Sequence, residues 1–182
     1  MPFQLPPSSV LNTLSREEKV EVLDHLFEPC STLAGLLTES VMTRPYANYR
    51  EFIELAREYM LGYLQEEEQK PKISPDISKI ILAHPRLGPS KDSLSSHSAS
   101  EQKSLAGSEE EAEKLRDLNQ RYEETFPGLR YVVFVNGRSR NAIMENMQER
   151  IARNDILLER REAFGAMCDI AWDRARKLGA KL

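Results

Sequence analysis

Only one run in this chain of 182 residues, Tyr131-Val132-Val133-Phe134-Val135, has the β-branched and aromatic density of a strand. The Asn136-Gly137 turn signal follows it, but no second run stands ready to pair. One strand cannot make a sheet unaided. The segment is therefore expected to be a buried extended connector crossing an all-α body, a compact multi-helix bundle.

Helix starts and apolar stripes account for most of the remainder. Ser15-Arg16-Glu17-Glu18 is a capping box, followed by Val20, Leu23, Leu26 and Phe27 on one face. Ser31 is expected to start a second helix with Leu33, Leu36, Leu37 and Val41 inward, ended by Arg44-Pro45-Tyr46. A third stripe runs through Tyr49, Phe52, Ile53, Ala56, Tyr59, Met60 and Tyr63 and closes in Glu66-Glu67-Glu68, expected to be solvated. Ser74-Pro75 opens a short helix through Ile77, Ile80 and Ile81, since proline suits the first helical position. Further helices are expected over about 100–105, 109–125, 141–153 and 155–178.

Charge and composition exclude several classes. Net charge is −4 with 30% charged residues, interspersed rather than gathered into a basic stripe, so no nucleic-acid footprint is present. No apolar run is long enough to span a bilayer, and the first residues lack the basic and apolar regions of a secretory signal. Cys30 and Cys168 are too distant to form a metal-spaced pair, which points to a reduced intracellular protein and to no metal.

The chemistry-bearing residues gather around one loop. Ala83-His84-Pro85-Arg86-Leu87-Gly88 places a histidine where proline disfavours helical geometry and glycine permits a turn. A serine-rich stretch follows, then Ser98-Ala99-Ser100-Glu101-Gln102. Glu101 falls in the first turn of the next expected helix, where the loop can return it towards His84. An imidazole with an unperturbed pKa of roughly 6.5, paired with a carboxylate, can move a proton near neutral pH. Blander readings exist for each residue. A histidine before proline is often only a helix-end polar group, Ser98-x-x-Glu101 is also a capping box, and Arg174 suits the end of a final helix for its charge alone. Arg138 and Arg140 read either as loop charges or as substrate contacts.

The ordered set of these elements resembles one family. His84-Pro85-Arg86-Leu87-Gly88 is similar to the His-Pro-Asp/Arg-Leu-Ala/Gly element of 2-oxo-4-hydroxy-4-carboxy-5-ureidoimidazoline (OHCU) decarboxylases, and Ser98 to Gln102 to their S-x-x-E-Q. Thr43-Arg44-Pro45-Tyr46 resembles the S-R-P-F turn. Leu118-Asn119, Tyr122 and Phe126 resemble the L-N-x-x-Y-x-x-x-F helix. Tyr131 to Val135 resembles the apolar segment that follows, and Ile170 to Arg174 the I-x-x-x-R of the last helix. The likeness covers nearly all of 1–182, read as a single helical domain. Arg130 and the run Asn136 to Arg140 depart from the animal pattern and sit closer to a fungal-type member.

That resemblance implies an all-helical, cofactor-free decarboxylase of urate degradation that yields (S)-allantoin, working as a homodimer. It carries catalytic roles onto His84, Glu101 and Arg174, with His84 as the proton donor. It carries substrate contacts onto Pro85, Ser98, Gln102 and the backbone of Tyr131, Val132, Val133, Phe134 and Val135. The chemistry suits these types. The conjugated ring accepts the electron pair left by carbon dioxide, so the protein need supply only orientation and a proton, while a guanidinium grips a carboxylate or ureido oxygen through two hydrogen bonds. Two other readings share the sequence: a helical interaction module of the same fold that has lost activity, or a decarboxylase of a related ureido acid. Ala180-Lys181-Leu182 is a permitted variant of the Ser-Lys-Leu peroxisomal signal. It predicts a peroxisomal import receptor as a partner, and a cytoplasmic location otherwise.

Overall fold

A computed structural model describes residues 2–88, 97 and 109–182. Within them lie a 3-10 turn, Ser8–Thr13, and seven α-helices: α1 (Arg16–Leu26), α2 (Ser31–Ser40), α3 (Tyr49–Glu68), α4 (Pro75–Leu82), α5 (Glu109–Thr125), α6 (Arg140–Arg153) and α7 (Ile156–Lys177). No strand occurs among the described residues, and 131–135 runs extended between α5 and α6 without a β partner. The all-α expectation holds. The helix expected at 100–105 lies outside the described residues.

Local chemistry explains where the helices begin. Ser15 and Glu18 form the complete capping box of α1, each side chain bonding the other's backbone N–H. Asn48, Ser74, Ser139 and Asp155 cap α3, α4, α6 and α7 with side-chain oxygens. At α2 the cap is the thiol of Cys30, which accepts from the Leu33 N–H at 3.5 Å, so Ser31 is the first helical residue rather than the cap. Each oxygen cap is worth about 1 kcal/mol. On α4 alone Ile77, Ile80 and Ile81 are fully buried, at roughly 2 kcal/mol apiece. Packing therefore holds this short helix in place, and its cap sets only where it starts.

α7 is the central element. It packs most extensively along α3, and it also lies against α1 and α4. Phe164, Met167, Cys168 and Ala171 turn into the core that Phe52, Ile53, Ala56 and Met60 enter from α3. The N-terminal turn is stitched to the Arg44-Pro45-Tyr46 turn, with the Ser8 hydroxyl donating to the Tyr46 carbonyl at 2.9 Å and the Tyr46 N–H to the Ser8 carbonyl at 3.2 Å.

The acidic end of α3 departs from expectation. Glu67 is buried, accepting from the Ser74 N–H at 3.0 Å and pairing with Lys70, while Glu68 pairs with Arg161 at 2.7 Å. The run is not a solvated face, because the turn into α4 folds back over it and needs an acceptor for its N–H groups.

Candidate active site

Because α7 lies against both α1 and α4, the ends of those two helices arrive beside its last turns. α1 finishes at Leu26 with Phe27 as its cap, and the next residue, Glu28, is buried. α4 finishes at Leu82 with Ala83 as its cap, and His84 follows with its N–H donating to the Ile81 carbonyl at 3.2 Å. Arg174, in the final turn of α7, is only 2% exposed. Its Nη2 meets Glu28 Oε1 at 3.0 Å. The solvated charges of that turn are its neighbours Arg176 and Lys177, both paired with Asp173 at 2.8 Å. A helix-end cation that served only the dipole would look like those two; Arg174 points inward.

His84 is fixed through its backbone. Arg130 Nη1 donates to the Leu82 carbonyl at 3.1 Å and to the His84 carbonyl at 2.7 Å. Asn119 Nδ2 donates to the Leu87 carbonyl at 3.0 Å. Gly88 has φ of +98°, and a Cβ there would stand 3.4 Å from Leu115 Cδ1, so the turn out of the motif suits glycine for both reasons. The His84-to-Gly88 element is thus clamped from α5 and from the turn that follows it.

The surroundings of His84 act on its protonation. Burial, the largest influence, holds its pKa down to about 4; Glu28 opposes that shift, and Arg174 and Arg130 add to it. The desolvated imidazole is neutral at pH 7 in the free protein. Two of the three charges that act on it, Glu28 and Arg174, form the buried ion pair. Imidazole, carboxylate and guanidinium therefore share one electrostatic neighbourhood, although their positions in the chain are far apart.

The remaining expected site residues divide. Pro85 is half-buried beside His84. Ser98, Glu101 and Gln102 lie outside the described residues. In the extended segment Tyr131, Val132 and Val135 are buried, and Val133 and Phe134 half-buried. Several of its carbonyls already have partners: Val132 accepts from Arg150 Nη1 at 3.1 Å, Phe134 from Arg138 Nη2 and Val135 from Arg138 Nε at 3.2 Å. Arg138 thus braces the segment, and Arg140 pairs with Glu111 across α5 and α6. His25 Nδ1 lies 3.2 Å from His97 Nε2, with Phe3 stacked on His25. Among the described residues no three His, Cys, Asp or Glu side chains gather to hold a metal ion, and no helix is long and apolar enough to cross a membrane.

Three contributors escaped sequence reasoning. Glu28 carried a signal, a carboxylate directly after the apolar pair Leu26-Phe27 and before Pro29. Arg130 stood out only as a departure from a pattern. Arg150, on α6, gave none. Compared with known families, the chain is matched over residues 12–176 by the model described as OHCU decarboxylase. Among curated proteins none matches it significantly.

Proposed function

The chain belongs to the OHCU decarboxylase family, and on that footing we propose that it converts 2-oxo-4-hydroxy-4-carboxy-5-ureidoimidazoline to (S)-allantoin without a cofactor. Family membership makes it a decarboxylase of purine degradation. The finer assignment of substrate and product rests on one observation, the buried His84 beside the Arg174–Glu28 pair.

In this reading Arg174, oriented by Glu28, grips a carboxylate or ureido oxygen of the substrate through its planar fork. Breaking the C–CO2 bond leaves an electron pair that the conjugated ring delocalises. The adjacent, ureido-bearing carbon then takes one proton while the proton of the 4-hydroxyl passes to the ring nitrogen and leaves a carbonyl, so that overall a carboxylate and a proton become carbon dioxide and a C–H bond. His84 relays that proton. Its imidazole is neutral in the free protein, and an anionic substrate beside it raises its proton affinity by adding negative charge. Relay from a single residue on one side of the ring accounts for a single product hand. Glu101, Ser98, Gln102 and Pro85, together with free backbone groups of 131–135, complete the proposed binding set.

The test couples urate oxidase and hydroxyisourate hydrolase to this protein and follows dextrorotatory allantoin by circular dichroism. Acceleration over spontaneous decay, lost in His84→Asn while the variant stays folded, is the expected outcome. No acceleration by the wild type, or full turnover by the variant, overturns the assignment.

A further inference from the structure

One stripe of α5 meets the turn after His84 residue by residue. Leu115, Asn119 and Glu123 follow one another at intervals of four, so they share a face of the helix. Leu115 lies against Gly88, Asn119 Nδ2 donates to the Leu87 carbonyl at 3.0 Å, and Glu123 Oε2 meets Arg86 Nη2 at 2.6 Å. Arg130 completes the series by holding the Leu82 and His84 carbonyls. The Arg86–Glu123 contact is the charged member of the stripe, and the reaction proposed above makes no use of it.

Glu123 stands where its own helix disfavours it. α5 ends at Thr125 with no basic residue in its last turn, and a carboxylate there faces the negative end of the helix dipole. Its neighbour Glu124 is exposed and accepts from Gln120 of the same helix at 2.9 Å. Glu123 instead turns inward, with its side chain 22% exposed and its Oε2 atom shut off from solvent. A pair with the half-exposed Arg86 alone contributes little.

A second cation accounts for the placement. Glu123 Oε1 lies 3.8 Å from Arg130 Nε, which is buried and makes no hydrogen bond. The same guanidinium donates from Nη1 to the His84 carbonyl at 2.7 Å. One carboxylate therefore stands between the arginine that belongs to the His84 turn and the arginine that clamps it. Its charge also reaches the imidazole, because Arg130 disfavours protonation of His84 and an anion beside Arg130 offsets that influence. Without Glu123, Arg130 keeps its carbonyl contacts but loses the anion on its other edge, and Arg86 loses this tie to α5.

We propose that Glu123 is a positioning residue for the reaction at His84: through Arg86 and Arg130 it fixes the turn that carries the imidazole, and it touches no substrate. This role rests on the reaction proposed above.

Turnover in the coupled allantoin assay and the ring resonances of His84, one of three histidines, are followed together in the full chain. In Glu123→Gln, kcat is expected to fall by about tenfold while KM stays within about twofold, as for a group displaced by a fraction of an ångström. The His84 resonances are expected to move. In a chain that already carries Arg86→Gln and Arg130→Ala, Glu123→Gln should add nothing to either readout, because both of its routes are gone. Should that background not fold, Arg86→Gln alone replaces it, and the effect of Glu123→Gln there should be smaller than in the wild type. Unmoved His84 resonances, full kcat, a loss confined to KM, or an undiminished effect in the folded background would overturn the role. A wild type without turnover overturns the reaction instead; the His84 resonances then decide alone whether Glu123 anchors the turn, moved in Glu123→Gln upholding it and unmoved ending it.

Discussion

Arg174 and Glu28 are 146 positions apart in the chain and form an ion pair at 3.0 Å in which both side chains are buried. Such a pair is poor evidence of stability in itself, because each charge was taken out of water to make it. Its meaning lies in position: it holds a guanidinium still beside His84.

Removing one partner therefore costs more than the pair contributes. Glu28→Gln is expected to destabilise the fold by roughly 3–5 kcal/mol, because it strands the Arg174 charge in a buried place. The Glu28 charge also supports protonation of His84, so its loss should push the His84 pKa lower still. Urea unfolding reads the first effect and histidine NMR titration the second. A variant as stable as the wild type with an unmoved His84 would contradict the arrangement.

The pH dependence of stability follows from His84. Its folded pKa is about 4, against roughly 6.5 in an unfolded chain. Between those values the unfolded chain takes up a proton that the folded chain refuses, so this residue's contribution is present above about pH 6.5 and is lost as pH falls towards 4. The loss amounts to about 3 kcal/mol. Unfolding free energies measured from pH 4 to 7 should show a steeper acid decline in the wild type than in His84→Asn, and parallel curves would count against a neutral, buried imidazole.

Arg130 acts through the backbone rather than on substrate. Arg130→Ala frees the Leu82 and His84 carbonyls, a stability loss of roughly 1–3 kcal/mol. Because His84 then loses its anchor, kcat should fall by about tenfold or more while KM moves little. A drop confined to KM would instead make Arg130 a substrate contact.

Glu159 anchors a buried network: it accepts from Tyr122 at 2.6 Å and Arg150 at 2.8 Å through Oε1, and from Arg153 at 2.7 Å through Oε2. Glu159→Gln should cost up to roughly 3–5 kcal/mol, since it takes the buried counter-charge from Arg150 and leaves it only the partly exposed Glu162 at 3.1 Å. Tyr122→Phe removes one hydrogen bond and should cost only about 1–2 kcal/mol. Thermal or urea unfolding that ranks the two in the opposite order would show that the network does not centre on Glu159.

Much of this molecule is written locally. The Ser15–Glu18 capping box, the Ser74-Pro75 start and the isoleucine stripe of α4 each act over five residues or fewer, so helix starts, helix faces and the all-helical character of the described residues could be read from the sequence. The His84-to-Gly88 turn was legible for the same reason, because Pro85 and Gly88 constrain their own backbone.

Tertiary packing decided the rest. Nothing adjacent to Glu28 indicates that it will face Arg174, and nothing adjacent to Arg150 indicates Glu159 and a tyrosine ring around it; α7 has to dock against α1 before the first pair meets, and α6 has to turn back into α7 beside the extended segment before the second does. The same docking strips water from His84 and moves its pKa, an effect of surroundings that residue identity does not contain. Hydrogen bonding along the backbone is short-ranged and therefore sequence-encoded, whereas desolvation and ion pairing depend on which surfaces close over which groups.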